Sequence, residues 1–459
     1  MSAKLEINSL PMATKNLPVI IREIVDNAPE RRKVESFIAT LAPLCALATR
    51  VRFRYTYDNK DSALLLQVII EGEQSSGKSF ASNIEQIITK KLKEHDLEQR
   101  RIEQDYRERK KTRKANEKLE KEPVSDIRVI PPSISKTVLV KRADMFQRKY
   151  NDMLTFWMFS EELAMVTDAG KSAYSNLRTI MRTAYDLGSE FGLDFASDNS
   201  YSAIVDINIC SMFCATPSAL DSYMDRANIE GGNVTRTILC PLDDEMGSEG
   251  IIYHNLSQKD EVVIQNALKE IMDDVYDGDN HLQPTSFLDM SFLHDSVKRW
   301  VNEKADEAIV TNSNAIDVFR KRSSVSAFRV ATLCYYLYKF EYSDEEIIRR
   351  RVTTIYKWMA NYIFNNMYKR WGDMYDELVT KRKCKYKGKR QFILANLPET
   401  FERTDIEKIR EKCGFQTKAK DLLAAWKHRG YIAVRDDNKF VKTKKCYEVL
   451  NVYQPTERD

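Results

Sequence analysis

The sequence predicts a mixed α/β chain: a parallel-sheet core, an all-α region after it, and a small basic module at the C-terminus. Three observations carry this. From residue 51 to about 250, short continuous apolar runs alternate with stretches of helical period, as in a parallel sheet covered on both faces. From residue 251 to about 380 only the helical period remains. From Lys369 to Glu448 the chain carries 22 Lys and Arg against 12 Asp and Glu, a net of +10, which leaves about −6 for the rest of a +4 chain.

Composition sets the outer bounds. The chain has 459 residues, enough for one to three domains with real cores. With 43% hydrophobic and 31% charged residues, 14 Gly and 12 Pro, it is neither disordered nor fibrous. No apolar run reaches the roughly 18 residues of a membrane span. The opening MSAKLEINSLPMATKNLP has no apolar signal core, which predicts a cytoplasmic protein without a membrane partner. The eight cysteines (Cys45, Cys210, Cys214, Cys240, Cys334, Cys384, Cys413, Cys446) form no CxxC pair, and the five His are scattered. Both facts argue against a zinc site or a disulfide framework.

Taken in order, residues 1–18 read as an arm and 19–50 as helix. Arg52 to Tyr57 alternates like an edge strand, and Ala63 to Ile70 is a continuous run like a buried parallel strand. Residues 80–122 open as a helix and turn highly charged, with no Gly or Pro. Their thin apolar stripe predicts a long exposed helix or helical hairpin that projects from the body and ends at Pro123. Its near balance of signs fits a solvated arm, with nucleic acid or a protein partner as the alternative. Residues 127–135 give a short strand and turn, 136–150 a helix, 153–159 a buried strand, 172–185 a helix, 203–215 a third buried strand, 218–227 a short helix and 236–242 a fourth strand. An acidic loop, DDEMGSEG, leads to helices over roughly 256–277, 290–306, 324–341, 343–371 and 372–381. The segment KRKCKYKGKR (381–390) reads as a basic linker. Residues 390–446 read as three helices and then two short strands around an Asp-Asp-Asn turn.

One motif carries chemistry with little ambiguity. Gly72-Glu73-Gln74-Ser75-Ser76-Gly77-Lys78-Ser79, followed by Phe80, fits G-x-x-x-x-G-K-[ST] completely. The glycines let backbone N–H groups close round a β-phosphate, Lys78 reaches β- and γ-oxygens, and the Ser79 hydroxyl ligates Mg²⁺. A buried strand precedes the motif and a helix follows, so the anion meets a positive helix end. The predicted cofactors are ATP and Mg²⁺.

Hydrolysis needs a second site, an acidic pair at the end of a buried strand. Phe156-Trp157-Met158-Phe159-Ser160-Glu161-Glu162 supplies it, with Glu161 assigned to the metal and Glu162 to water activation. The metal position is usually Asp, so Glu161 is a departure. The plain alternative is Ser160 capping a helix with an acidic first turn. Thr216, ending the next strand, is the candidate for contact with the γ-phosphate or the water, or else a helix cap; Asn208 reads as structural. In Gly231-Gly232-Asn233-Val234-Thr235-Arg236, Arg236 stands just before the last core strand and is assigned as a finger reaching a neighbour's γ-phosphate, with Arg226 as rival and a surface ion pair as the alternative. Arg329 reads as a lid arginine or, more simply, an ordinary helix residue.

The order of these parts resembles a family of uncharacterised P-loop ATPases of bacterial mobile elements and phages, notably in gut Bacteroidetes, often fused to a primase-like domain. The resemblance runs from about Leu17 to residue 371 and looks like that of a replicative-helicase relative. It implies Lys78 and Ser79 for phosphate and Mg²⁺, the Glu161–Glu162 pair for metal and water, and Arg236 in trans. The sequence shows no primase-like domain, so priming, if any, is expected from a separate protein, a primase or another mobile-element protein. The resulting fold class is an α/β P-loop NTPase core of the ASCE type, AAA+-like or RecA-like, with its acidic strand expected beside the phosphate-loop strand. The expected domains are 1–50 (arm and helices), 51–250 (core with the charged insertion 80–122), 251–380 (helical lid) and 381–459 (basic winged helix).

In that last module helix 417–429 would be the recognition helix, with Lys418, Lys420, Lys427, His428 and Arg429, and Arg435, Lys439, Lys442, Lys444 and Lys445 on or around the wing. Phosphate contacts from such residues give salt-dependent, mostly sequence-independent DNA affinity; protein docking is the alternative use. The functional expectation is an ATP-hydrolysing, ring-forming homo-oligomer such as a hexamer, acting on DNA as a helicase or initiator of a mobile element or phage. The rival is a nucleotide-switched scaffold without translocation. A metabolic kinase is disfavoured, because nothing resembles an acceptor pocket.

Overall fold

The computed structural model describes residues 8–113, 120–166, 177–194, 201–242, 251–253, 256–277, 281–311, 313–386, 389–413, 418–435 and 439–451. The expected helix start at 172, the acidic loop 243–250 and the Asp-Asp-Asn turn at 436–438 lie outside them. The described strands are β1 (Val51–Arg54), β2 (Asp61–Ala63), β3 (Gln67–Glu71), β4 (Thr155–Ser160), β5 (Glu190–Leu193), β6 (Ala203–Asp206), β7 (Asn208–Ala215), β8 (Thr237–Pro241), β9 (Ser286–Phe287), β10 (Thr400–Phe401), β11 (Ile432–Val434) and β12 (Phe440–Lys442). The chain forms two compact units, Met1–Trp371 and Gly372–Asp459.

The core of the first unit is a parallel sheet in the order β4-β7-β3-β8. Val129 adds a parallel bridge to Trp157 on the outer side of β4. All eight residues of β7 are buried, as suits a central strand covered on both faces. The sheet order corrects one expectation: the acidic strand β4 is not beside β3, because β7 lies between them. Apolar runs reveal that strands are buried, not which neighbours they choose.

The helix Lys33–Leu47 packs against β3, β4 and β7 and is buried from Glu35 to Leu47, polar residues included. A helix apolar on all sides belongs inside a molecule. Phe37 meets Trp358 edge to face, 5.8 Å between ring centres, which joins this helix to the helix Glu345–Tyr386. Each such buried aromatic or aliphatic side chain contributes about 1.5–3 kcal/mol.

Several boundaries differ from expectation for local reasons. The run 63–70 is shared by two sheets: β2 pairs antiparallel with β1, and β3 begins only at Gln67. The run 203–215 is likewise divided, since β6 pairs with β5 in a separate hairpin. The helix Asn314–Glu341 starts ten residues before its predicted position. The helix Glu345–Tyr386 runs through Gly372 without the expected break; one mid-helix Gly costs only about 1 kcal/mol.

The charged insertion is a single helix, Ser79–Thr112, and it does not stand free of the body. Asp96 is buried and accepts from the N–H of Arg128 (2.9 Å) and of Val129 (2.5 Å). Glu103 accepts from Ser125 and pairs with Arg142 at 3.1 Å. These polar anchors strap the extended segment around 125–129 along the helix. A hydropathy pattern does not count them, so the stripe looked too thin to hold anything.

The second unit contains helices Lys389–Asn396, Arg403–Cys413, Ala419–His428 and Lys444–Asn451 with a small sheet in the order β10-β12-β11. Ile393, Phe401, Ile406, Leu422 and Trp426 form its core. β10 and the last helix are additional to the predicted elements.

Among the described residues no helix is long and apolar enough to cross a membrane. Cys45, Cys210, Cys214, Cys240, Cys334 and Cys446 are free and buried.

Candidate functional site

Because β3, β4, β7 and β8 run parallel, their carboxyl ends share one edge, where open α/β sheets bind ligands. Glu71 faces Ala215 and Pro241 across the sheet, and Ser160 faces Phe213. The ladder continues beyond the strands. Gly72 donates its N–H to the Ala215 carbonyl at 3.0 Å, and Leu242 donates to the Glu71 carbonyl at 2.7 Å. The loop 72–79, the Glu161–Glu162 pair and Thr216 therefore open on the same edge.

The loop conformation explains its glycines. A Cβ on Gly72 would lie 2.5 Å from Ser76 Oγ and 2.9 Å from Leu242 Cδ1. Gly77 has φ +75°, a left-handed backbone that favours glycine. Lys78 folds over the loop and donates to the carbonyls of Gly72 (2.7 Å) and Glu73 (2.5 Å). No side chain caps the helix that starts at Ser79, so its first-turn N–H groups and dipole face the loop. Ser79 is exposed and Phe80 buried; Glu73, Gln74 and Ser75 are exposed. A backbone cradle with a helix N-terminus and a lysine beside it fits a phosphate chain.

Glu161 and Glu162 are both exposed just past β4. Ser160 Oγ accepts from the Glu162 N–H at 3.3 Å and fixes the turn. The Cys214 thiol, at the end of β7, is pushed up to about 12 by burial; nearby Lys78 pulls it down and nearby Glu161 raises it. One buried sulfur between them thus feels both the loop lysine and the acidic strand end. Thr216 caps the helix Pro217–Tyr223 by accepting from Ala219 N–H at 3.3 Å.

Five residues at this edge were missed by sequence reading: Glu71, Asp221, Arg370, Arg32 and Tyr253. Arg370 pairs with Glu71 (3.1 Å) and with Asp221 (2.6 Å). Burial raises the Glu71 pKa despite Arg370. Arg32 is fully buried and donates to the Ser76 carbonyl at 3.4 Å. Tyr253 stacks on Phe80, 6.1 Å between ring centres, and donates to the Gly77 carbonyl at 3.4 Å. Contacts spanning 44 to 299 residues carry no local signal.

Arg236 is not part of this constellation in its own chain. It stands in a 3₁₀ turn, Val234–Arg236, at the opposite edge of the sheet. At about 3.3 Å per residue, β8 places it about 20 Å from Leu242. Arg236 is held near Asp186 (3.7 Å) and donates to the Gly232 carbonyl at 3.2 Å. Arg226, its rival, is exposed. Arg329 is 3% exposed and donates to the Leu65 carbonyl at 2.7 Å, also at the far edge, so it is a core residue and no lid over the loop. Asn208 opens β7 and is buried.

In the second unit Lys418, Lys420, Lys427, His428, Arg429, Arg435, Lys444 and Lys445 are exposed. Lys427 also lies over the Phe440 ring at 5.1 Å, and Lys439 is 3.8 Å from Glu402. Lys442 differs: it donates to the carbonyls of Leu397 and Ala395 at the end of a helix, and burial lowers its pKa. It is a structural clamp.

Among the described residues no three His, Cys, Asp or Glu gather to hold a metal by themselves. No protein-family model matches the chain, and no curated protein matches it significantly.

Proposed function

We propose that the chain is an ATP-hydrolysing motor that assembles into a ring and acts on DNA, built on a P-loop NTPase core of the ASCE type with a C-terminal winged helix. The observation that carries this is the glycine loop at the carboxyl edge of β3, opening a helix and facing an acidic strand end across β7. The intervening β7 is the additional strand of such a core. Two strand spacings, about 9.5 Å, separate β3 from β4 and leave room between Lys78 and Glu162 for a terminal phosphate and a water. Lys78 and the loop N–H groups would hold the phosphates. Ser79 and Glu161 suffice for Mg²⁺, which keeps several waters and takes its other ligands from phosphate. Glu162 would orient and deprotonate the attacking water, and Thr216 would bond it or the γ-phosphate. Arg236, too far from its own loop, would serve a neighbour, which makes turnover depend on assembly. Its place before the last core strand favours the AAA+-like form. Helix-strand-helix-helix-hairpin order in the second unit, with exposed lysines on the third helix, supports DNA contact. The family resemblance adds the setting: a helicase or initiator of a mobile element or phage.

The test is ATP turnover by the wild type and by Lys78→Ala, Glu162→Gln and Arg236→Ala, each with and without single-stranded and duplex DNA. DNA should raise the wild-type rate, and each variant should lose about 10²-fold or more. Turnover indifferent to DNA sinks the motor and leaves the nucleotide-switched scaffold.

A further inference from the structure

The sheet edge opposite the glycine loop gathers arginines around one ring and one carboxylate. Arg236 precedes β8; Arg322 and Arg329 lie two turns apart on the helix Asn314–Glu341. Their guanidinium carbons stand 5.8, 6.0 and 3.9 Å from the centre of the Tyr185 ring. All three share Asp186, at 3.7, 3.8 and 3.5 Å. Arg182 adds a fourth charge, its guanidinium filling the space a Cβ on Gly231 would need.

These distances are longer than charge-assisted hydrogen bonds, and one carboxylate cannot satisfy three guanidinium forks. The Nε–H groups of Arg236 and Arg329 are buried without an acceptor. Burial, and next the Arg322 charge, lower the Arg236 pKa. A partly buried cluster with several cations and one anion is costly unless a further anion compensates it. Arg236 and Arg322 keep 18% and 33% of their side chains exposed, so an anion can reach them. A phosphate offers three oxygens and up to two charges, and suits such forks better than a carboxylate.

We propose that Arg236 and Arg322, over Tyr185, form a second phosphate site whose ligand is the terminal phosphate of a nucleotide held by a second copy of the chain, and that Asp186 is an internal counter-ion which this phosphate displaces. The ligand comes from another copy because the chain's own glycine loop is about 20 Å away across the sheet. The inference rests on the nucleotide reading of that loop and adds to Arg236 a second arginine, from a different element, and a built-in competitor.

The probe is inorganic pyrophosphate, titrated calorimetrically into the full-length chain carrying Lys78→Ala, so that the glycine loop does not contribute. One site per chain is expected. Adding Arg322→Ala or Arg236→Ala should weaken it about tenfold or more, and Asp186→Asn should strengthen it severalfold. Arg322→Lys, which keeps the charge and loses the fork, separates recognition from a folding defect and should fall between. In a second arm, Lys78→Ala chains (arginines intact) are mixed with Arg322→Ala chains (loop intact), and ATP turnover should exceed the sum of the two alone. Absent pyrophosphate binding, or binding that Arg322→Ala leaves unchanged, overturns the site. Binding without recovery on mixing overturns the assignment to a second copy's nucleotide. Should Lys78→Ala leave ATP binding by the wild-type background unchanged, the nucleotide reading itself fails; should only the Arg322 arms fail, that reading stands.

Discussion

A methyl group on Gly72 forces a neighbour to shift, since Ser76 Oγ and Leu242 Cδ1 stand within 3 Å of its position. Ser76 could rotate, but Leu242 follows β8, whose ladder continues by a bond from Leu242 to Glu71. Gly72→Ala is therefore expected to displace the loop and not the sheet. ATP affinity, measured by titration with a fluorescent analogue, should fall about tenfold or more, while thermal stability drops by only a few degrees. An unchanged affinity would mean that this close approach is incidental to the loop's work. At this scale the sequence was informative where the signal is contiguous: the spacing of residues 72–79 marks a glycine loop between a strand and a helix, and the fold has that loop there. It was silent on Arg370, Arg32, Tyr185 and Asp186. Their roles come from partners brought together by folding, and an arginine on a helix looks the same whether it meets Glu71 or water.

At the scale of elements, hydrophobic period located most strands and helices, because burial on one or two faces writes itself into the local pattern. It did not give the order β4-β7-β3-β8, which pairing and crossover set. Nor did it reveal how the charged helix Ser79–Thr112 is held, because that attachment is polar. Asp96 is buried and its carboxylate receives two backbone N–H groups, from Arg128 and Val129. Burial nevertheless raises its pKa, so the carboxylate depends on those two donors. Asp96→Ala leaves both donors without that acceptor, at about 1–3 kcal/mol each. Chemical denaturation should show a loss of about 2–4 kcal/mol, and limited proteolysis should cut faster around residues 120–130. Since Val129 also bridges to Trp157, the variant should loosen the outer edge of the core sheet as well. A loss below about 0.5 kcal/mol would show that the strap holds by other contacts.

At the scale of the molecule, charge is distributed by unit: the basic excess from Lys369 to Glu448 falls almost wholly on the second unit, Gly372–Asp459. Charge counting saw this without any structure. It could not tell which lysines are offered to solvent and which are used inside, and the fold separates them. Lys420 and Arg435 are exposed, whereas Lys442 is spent on the carbonyls of Leu397 and Ala395. On the DNA-binding proposal the two kinds must behave differently. Each lysine or arginine on a phosphate releases counterions, so log affinity falls with log salt at about 0.9 per contact. Lys420→Ala and Arg435→Ala should each weaken duplex binding uniformly across sequences and lower that slope by about 1, with stability unchanged. Lys442→Ala should do the reverse: it should leave the slope as in the wild type and destabilise the second unit by about 1–3 kcal/mol through the carbonyls it abandons. Fluorescence anisotropy on a labelled duplex from 50 to 200 mM salt, beside thermal melts, reads both quantities. Equal slopes for all three variants would remove the exposed lysines from the DNA contact. The second unit's basic surface would then be left to a protein partner.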